Sequence, residues 1–196
     1  MPNTDNPATE HPSRDRLLND AIDYVAAHGL ADLSLRGLAA AIGTSHRMLI
    51  YHFGSREGLL AEVTREVEAR QRALMDVAYD TDLPPLEAAA AYWAQTVDAA
   101  SRYGPLFFEL TSHAMQGKEH AAALREELVG SWLPGVTALC VAIGIPGDEA
   151  PVHARLALAA ARGLLHDLLV TGDRTEVDAA HDLLQRMLLR AAGHEV

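Results

Sequence analysis

Residues 33–56, LSLRGLAAAIGTSHRMLIYHFGSR, limit the fold of this chain more than any other stretch. Two short patterns of helical period, Leu35 to Ile42 and Ser45 to Phe53, meet there across a Gly43-Thr44 turn. The stretch contains Arg36, Arg47 and Arg56 and no Asp or Glu, in a chain whose formal net charge is −11. Local positive potential on a helix-turn-helix pattern is the electrostatic footprint of a nucleic-acid reader, even when the rest of the chain is acidic.

The flanking sequence places this stretch in a helical protein. Ser13 caps a first helix, in which Leu17, Leu18, Ala21, Ile22 and Val25 share one face, and Gly29 ends it. In the third helix Leu49 and Phe53 are the inward positions. Ser45, His46, Arg47, Ile50 and Tyr51 then fall near the outer face, where an exposed Ile and Tyr call for something to cover them. Ser55 caps a fourth helix that runs to about Tyr79, and Asp80–Pro85 breaks the chain. Beyond Pro85 the pattern is helical with Gly and Pro punctuation. Helices are expected from Pro85 to Tyr103, Leu106 to Met115, Glu119 to Ile143 with a kink or split at Pro134, Ala150 to Thr171, and Glu176 to Ala192. The fold class is therefore all-α: a three-helix N-terminal unit joined by a long fourth helix to a helical C-terminal domain. The expected boundaries are an arm at 1–12, the helix-turn-helix unit at 13–60 and the C-terminal domain at 61–196.

Several classes are disfavoured. Cys140 is the only cysteine, which rules out an intramolecular disulfide and fits a reducing compartment. The sequence has no long uncharged apolar run and no apolar core near its start, so a cytoplasmic chain with no membrane partner is expected. It also lacks GxSxG, HExxH and a glycine-rich phosphate loop, so no enzyme is expected and no cofactor. The C-terminal histidines, at 113, 120, 153, 166, 181 and 194, include no i, i+4 pair, and no metal site is expected.

The run Ser34-Leu35-Arg36, Leu38-Ala39, Gly43, Ser45, Tyr51-His52-Phe53, Ser55-Arg56-Glu57 and Leu59-Leu60, at its spacing, resembles the DNA-binding domain of the TetR family of transcriptional regulators. The resemblance covers about a quarter of the chain and implies a two-domain regulator with three DNA-reading helices. Carried over by position, it implies phosphate contacts from Ser34, Arg36, Thr44, Tyr51, His52 and Arg56. Base-facing positions are Ser45, His46, Arg47 and Ile50. Arg47 is the long donor suited to guanine O6 and N7. The chain departs from the family at Arg56, commonly lysine, and at Ile50, often aromatic.

One short helix reads few base pairs, so a homodimer on a palindromic double-stranded operator is expected. The last two helices are the candidate interface, through Ala157, Leu158, Ala161, Leu164, Leu165, Leu168 and Leu169 and through Leu183, Leu184, Met187, Leu188 and Ala191. The resemblance further implies a pocket for a small-molecule effector. Candidate lining residues are Tyr92, Trp93, Tyr103, Phe107, Phe108, Met115 and Trp132, with His113 and His166 as polar handles. The expected function is a dimeric repressor released by its effector. The alternative is a ligand-independent DNA-binding or architectural factor of the same fold.

Overall fold

The computed structural model describes residues 13–79 and 83–195, with side chains throughout except at 74–79, 126 and 127. The arm at 1–12 and residues 80–82 of the expected loop lie outside the described residues. The elements are α1 (Arg14–His28), α2 (Leu35–Ala41), α3 (His46–Phe53), α4 (Arg56–Tyr79), α5 (Pro85–Met115), a 3-10 turn (Glu119–Ala121), α6 (Ala122–Gly130), α7 (Leu133–Ala142), α8 (Ala150–Thr171) and α9 (Arg174–Ala191). No strand occurs among the described residues.

The N-terminal helices start where hydroxyl side chains can satisfy their first N–H groups. Ser13 Oγ accepts from Arg16 N, Ser34 Oγ from Gly37 N and Ser45 Oγ from Met48 N. Gly43, between α2 and α3, has φ 68°, a left-handed conformation that an L side chain enters only with strain. Leu17, Ile22, Leu38, Leu49, Leu59 and Leu60 are fully buried around this turn, and Phe53 closes the far end.

That core does not stop at residue 60. Val63 and Val67 of α4, Leu106, Phe107, Leu110 and Ala114 of α5, Ala121 of the 3-10 turn and Leu124 of α6 belong to the same buried cluster. Polar contacts reinforce the junction. The Glu109 carboxylate on α5 accepts from Leu30 N at 3.0 and 3.2 Å, and the Arg56 guanidinium on α4 donates to Leu30 O at 3.0 Å and Leu33 O at 2.8 Å. The α1–α2 turn is thus held by both α4 and α5.

Two sequence expectations change. The break at Gly104-Pro105 does not occur, and α5 runs unbroken through Pro105. Proline forfeits one hydrogen bond there, but Trp93, Val97 and Ala100 before it and Leu106, Phe107 and Leu110 after it are all buried, so tertiary packing holds one axis. The absent side chain of Gly104 lets Leu169 approach, since a Cβ there would lie 2.7 Å from Leu169 Cδ1. The expected split at Pro134 does occur, with the proline in the first turn of α7.

The second change concerns the stripe on α8. Ala157, Leu158, Ala161, Leu165 and Leu169 turn inward and line a cavity. Leu164 and Leu168 pack on Trp93, Val97 and Val177. The outward face of α8 instead carries Val152, Leu156 and Val170, and that of α9 carries Leu183 and Met187, all exposed. The helical period identified an apolar stripe, but it cannot say which of two apolar faces a neighbouring helix will cover.

Candidate nucleic-acid interface and internal cavity

Helix α3 presents one face to its own core and the other to solvent. Leu49 and Phe53 are buried, whereas Ser45, His46, Arg47, Ile50 and Tyr51 are exposed. Tyr51 is 78% exposed and Ile50 39%, unusual for side chains of this size on a helix with a well-formed inner face. On α2, Ser34 and Arg36 are exposed, and Thr44 in the turn is half-buried.

The arginines divide into two groups. Arg14 pairs with Glu62 at 2.7 Å, Arg70 with Glu66 at 2.8 Å, Arg102 with Asp23 at 3.0 Å and Arg174 with Asp178 at 2.7 Å. Arg36 and Arg47 form no ion pair among the described residues, and both side chains are exposed. Their charge stays available to an external anion. Arg56 belongs elsewhere: its Nε and one terminal nitrogen are committed to backbone carbonyls of the α1–α2 turn, so its first role is to position the reading unit. His52 is half-buried, edge-on to Tyr51 at 5.0 Å, and its Nε2 is buried without a hydrogen-bond partner. Only the other edge of that ring is left to reach outward.

The second feature is a cavity of about 300 Å³ between α4, α5, α7, α8 and α9. Tyr92, Trp93, Tyr103, Phe107, Phe108 and Trp132 line it; His113, Met115 and His166 are not among its lining residues. Met115 is 81% exposed at the end of α5. His113 Nδ1 meets His120 Nε2 at 2.9 Å, and His166 sits edge-on to Phe108 at 5.2 Å. Residues that sequence reasoning missed also line the cavity, including Arg70, Gln71, Thr96, Arg162, His181 and Gln185. No local motif marks them, since they converge only when four helices pack. Trp93 ties two walls together, stacking on His181 at 4.1 Å and donating from Nε1 to Asp178 Oδ1 at 3.0 Å. Among the described residues no three His, Cys, Asp or Glu side chains gather as a metal-binding group. No helix of the described residues is long and apolar enough to cross a membrane.

Burial pushes both His120 and His181 below the ordinary histidine value of 6.5. For His120 the neighbouring His113 adds to the effect. The folded state holds these rings neutral, so below pH 6.5 the unfolded chain binds more protons than the folded one. Their contribution to stability is complete above that pH and is lost progressively as pH falls through the depressed values. Thermal melts should show a lower Tm at about pH 5.5 than at about pH 7.5. His181→Phe, which keeps the stack on Trp93, should reduce that drop; an undiminished drop would remove His181 from the account.

Comparison with known proteins agrees with this geometry. Residues 17–63 match the model of bacterial regulatory proteins of the tetR family. The HTH-type transcriptional regulatory protein RaaS of Mycobacterium tuberculosis (strain ATCC 25618 / H37Rv) is 28% identical over 114 residues, which is 58% of this chain and 50% of RaaS. The chain therefore spans about half the length of that relative. Among solved structures, a transcriptional regulator from Rhodococcus sp. Rha1 superposes with a TM-score of 0.81 at 24% identity, over 94% of this chain and 100% of that one. BioQ, solved with its natural double-stranded DNA operator, gives a TM-score of 0.61 at 19% identity, over 94% and 100% of the two chains. At these identities the structures establish the shared fold. A small helical unit with a helix-turn-helix match sits on a larger helical body. Over residues 17–63 the chain is similar to the N-terminal region of tetR-family regulatory proteins.

Proposed function

We propose that the chain is a cytoplasmic, non-enzymatic repressor that binds a palindromic double-stranded operator as a homodimer and releases it when a small molecule enters the cavity. The reading rests on one observation above all: the outer face of α3, with Arg47, Ile50 and Tyr51 exposed and no carboxylate among the described residues paired to Arg47 or Arg36. Phosphate contacts from Arg36, Ser34, Thr44, Tyr51 and His52 would fix the register of α3. Ser45, His46, Arg47 and Ile50 would face base edges in the major groove. Ser34 and Ser45 use only their oxygen lone pairs as caps, which leaves each hydroxyl hydrogen free to donate.

Pairing would use the outward face of α8 and α9, where Val152, Leu156, Leu183 and Met187 are exposed. Residues 13–60 would act as the reading unit and 61–196 as the effector and dimerisation unit. Helix α4 joins the two tasks, because Val67, Arg70 and Gln71 line the cavity while Arg56 grips the α1–α2 turn. A ligand that moved α4 enough to weaken operator binding ~100-fold would need about 2.7 kcal/mol of coupling, within the usual allosteric range. The cavity favours this reading over a ligand-independent DNA-binding factor.

The test is selection of bound DNA from a random pool with the full chain. A two-fold symmetric site is expected, and an asymmetric or random product would overturn the dimeric reading. On the selected site, Arg47→Ala should cost roughly 1–3 kcal/mol and relax preference at particular base pairs. Arg36→Ala should weaken all sequences alike and lower the salt slope by about 1. Equal, sequence-independent losses from both variants would remove Arg47 from the base-reading role.

A further inference from the structure

The cavity is apolar on nearly every side, and two cationic side chains, Arg70 and Arg162, line it. Arg162 of α8 lines the cavity, and its Nη2 nitrogen is buried with no hydrogen-bond partner. Its guanidinium carbon lies 5.5 Å from the ring centroid of Trp132, which satisfies one face of the group and none of its donors. Desolvation pulls the Arg162 pKa down from the ordinary arginine value, while Glu68 opposes that shift. Glu68 of α4, 2% exposed, does not take a hydrogen bond from Arg162. Its Oε1 accepts from Trp132 Nε1 at 2.8 Å and from Ser131 Oγ at 3.5 Å, and lies 4.0 Å from Arg72 Nε. The other cation on the wall, Arg70, is engaged with Glu66 and Asn19. Tyr92, Thr96, Gln71, Gln185, Cys140 and His181 complete the polar complement, and burial holds His181 toward its neutral form.

We propose that the cavity takes an amphipathic anion: an apolar body against Phe107, Phe108, Leu165 and Leu169, and a carboxylate or similar acceptor on the Arg162 guanidinium. A buried guanidinium nitrogen without an acceptor is costly, and an incoming carboxylate supplies the charge-assisted hydrogen bond that the protein leaves unmade at Arg162 Nη2. A cation of the same shape would instead meet the Arg162 charge in a low-dielectric site, where Glu68 Oε1 is already bonded to Trp132 Nε1. This assignment rests on the reading of the cavity as the effector site and adds the ligand class to it.

Three ligands of one shape and different heads separate the two claims: decanoate, 1-decanol and decylammonium, titrated calorimetrically into the full chain. Decanoate is expected to bind at least about tenfold more tightly than decylammonium, with decanol between them. In Arg162→Met the preference for decanoate over decanol should disappear while decanol still binds, which also reports an intact cavity. Equal binding of all three by the unsubstituted chain, tighter binding of decylammonium, or a decanoate preference that survives Arg162→Met overturns the anion assignment and leaves the cavity as a ligand site. Binding of none of the three overturns both.

Discussion

Alanine at position 58 is expected to disrupt the reading unit, with a loss of about 3 kcal/mol or more of folding stability. Gly58 lies in the first turn of α4, where a Cβ would sit 2.1 Å from the backbone oxygen of Phe53. A carbonyl at the end of a helix cannot move aside as a side-chain tip can. Either α4 shifts away from α3 or the turn between them opens. The same shift strains the cap, in which Ser55 Oγ accepts from Gly58 N at 3.0 Å. Denaturant melts of Gly58→Ala should show a lower midpoint, and DNA binding should fall with it, because α3 loses its seat. Gly104→Ala is the internal comparison. The atoms nearest its Cβ would all belong to the Leu169 side chain, Cδ1 first at 2.7 Å, and a flexible side chain can yield, so about 1 kcal/mol is expected. Equal effects at the two glycines would show that the Phe53 carbonyl is not the obstacle.

Arg56→Ala carries the second large effect. If Arg56 served only as a phosphate contact, its removal would leave stability unchanged and lower the salt slope of DNA binding by about 1. The structure instead has it donating to Leu33 O at 2.8 Å and Leu30 O at 3.0 Å, two half-buried bonds that hold the α1–α2 turn against α4. Bonds from a charged donor contribute about 1.5–3 kcal/mol each, so a stability loss of roughly 3 kcal/mol is expected. Arg56→Lys should recover little of it, because one ammonium cannot reproduce the fork that reaches two carbonyls. Full rescue by lysine would return the residue to a simple phosphate role.

The contrast between Arg56 and Arg47 shows how far sequence could carry the site. Both lie in the basic stretch, and their charge alone makes them equivalent. Only the packing of α4 on the α1–α2 turn commits one to the protein and leaves the other outside. Glu109 makes the same point in reverse. In sequence it is an isolated carboxylate after two phenylalanines, whereas in the fold it closes a polar bond from α5 to Leu30 N.

The helices themselves were largely legible, because capping serines, helix-ending glycines and apolar period are local signals. Pro105 marks where local reasoning failed, since burial on both sides of it outweighed one lost hydrogen bond. The cavity lay further from view. Six of its aromatic lining residues could be proposed by size alone, but His113, Met115 and His166 could not be set apart from them, because nothing in a sequence states which helix face will be enclosed.

By itself, then, the sequence determined the all-helical class and the helix-turn-helix with its Gly43-Thr44 turn. It also determined the outer face of α3, because i, i+3 and i+4 spacing and turn chemistry act over a few residues. Only the tertiary structure decided which arginines remain unpaired, which stripe of α8 faces inward and which charged groups line the cavity. Those outcomes depend on contacts between residues far apart in the chain, where packing rather than propensity sets the free energy.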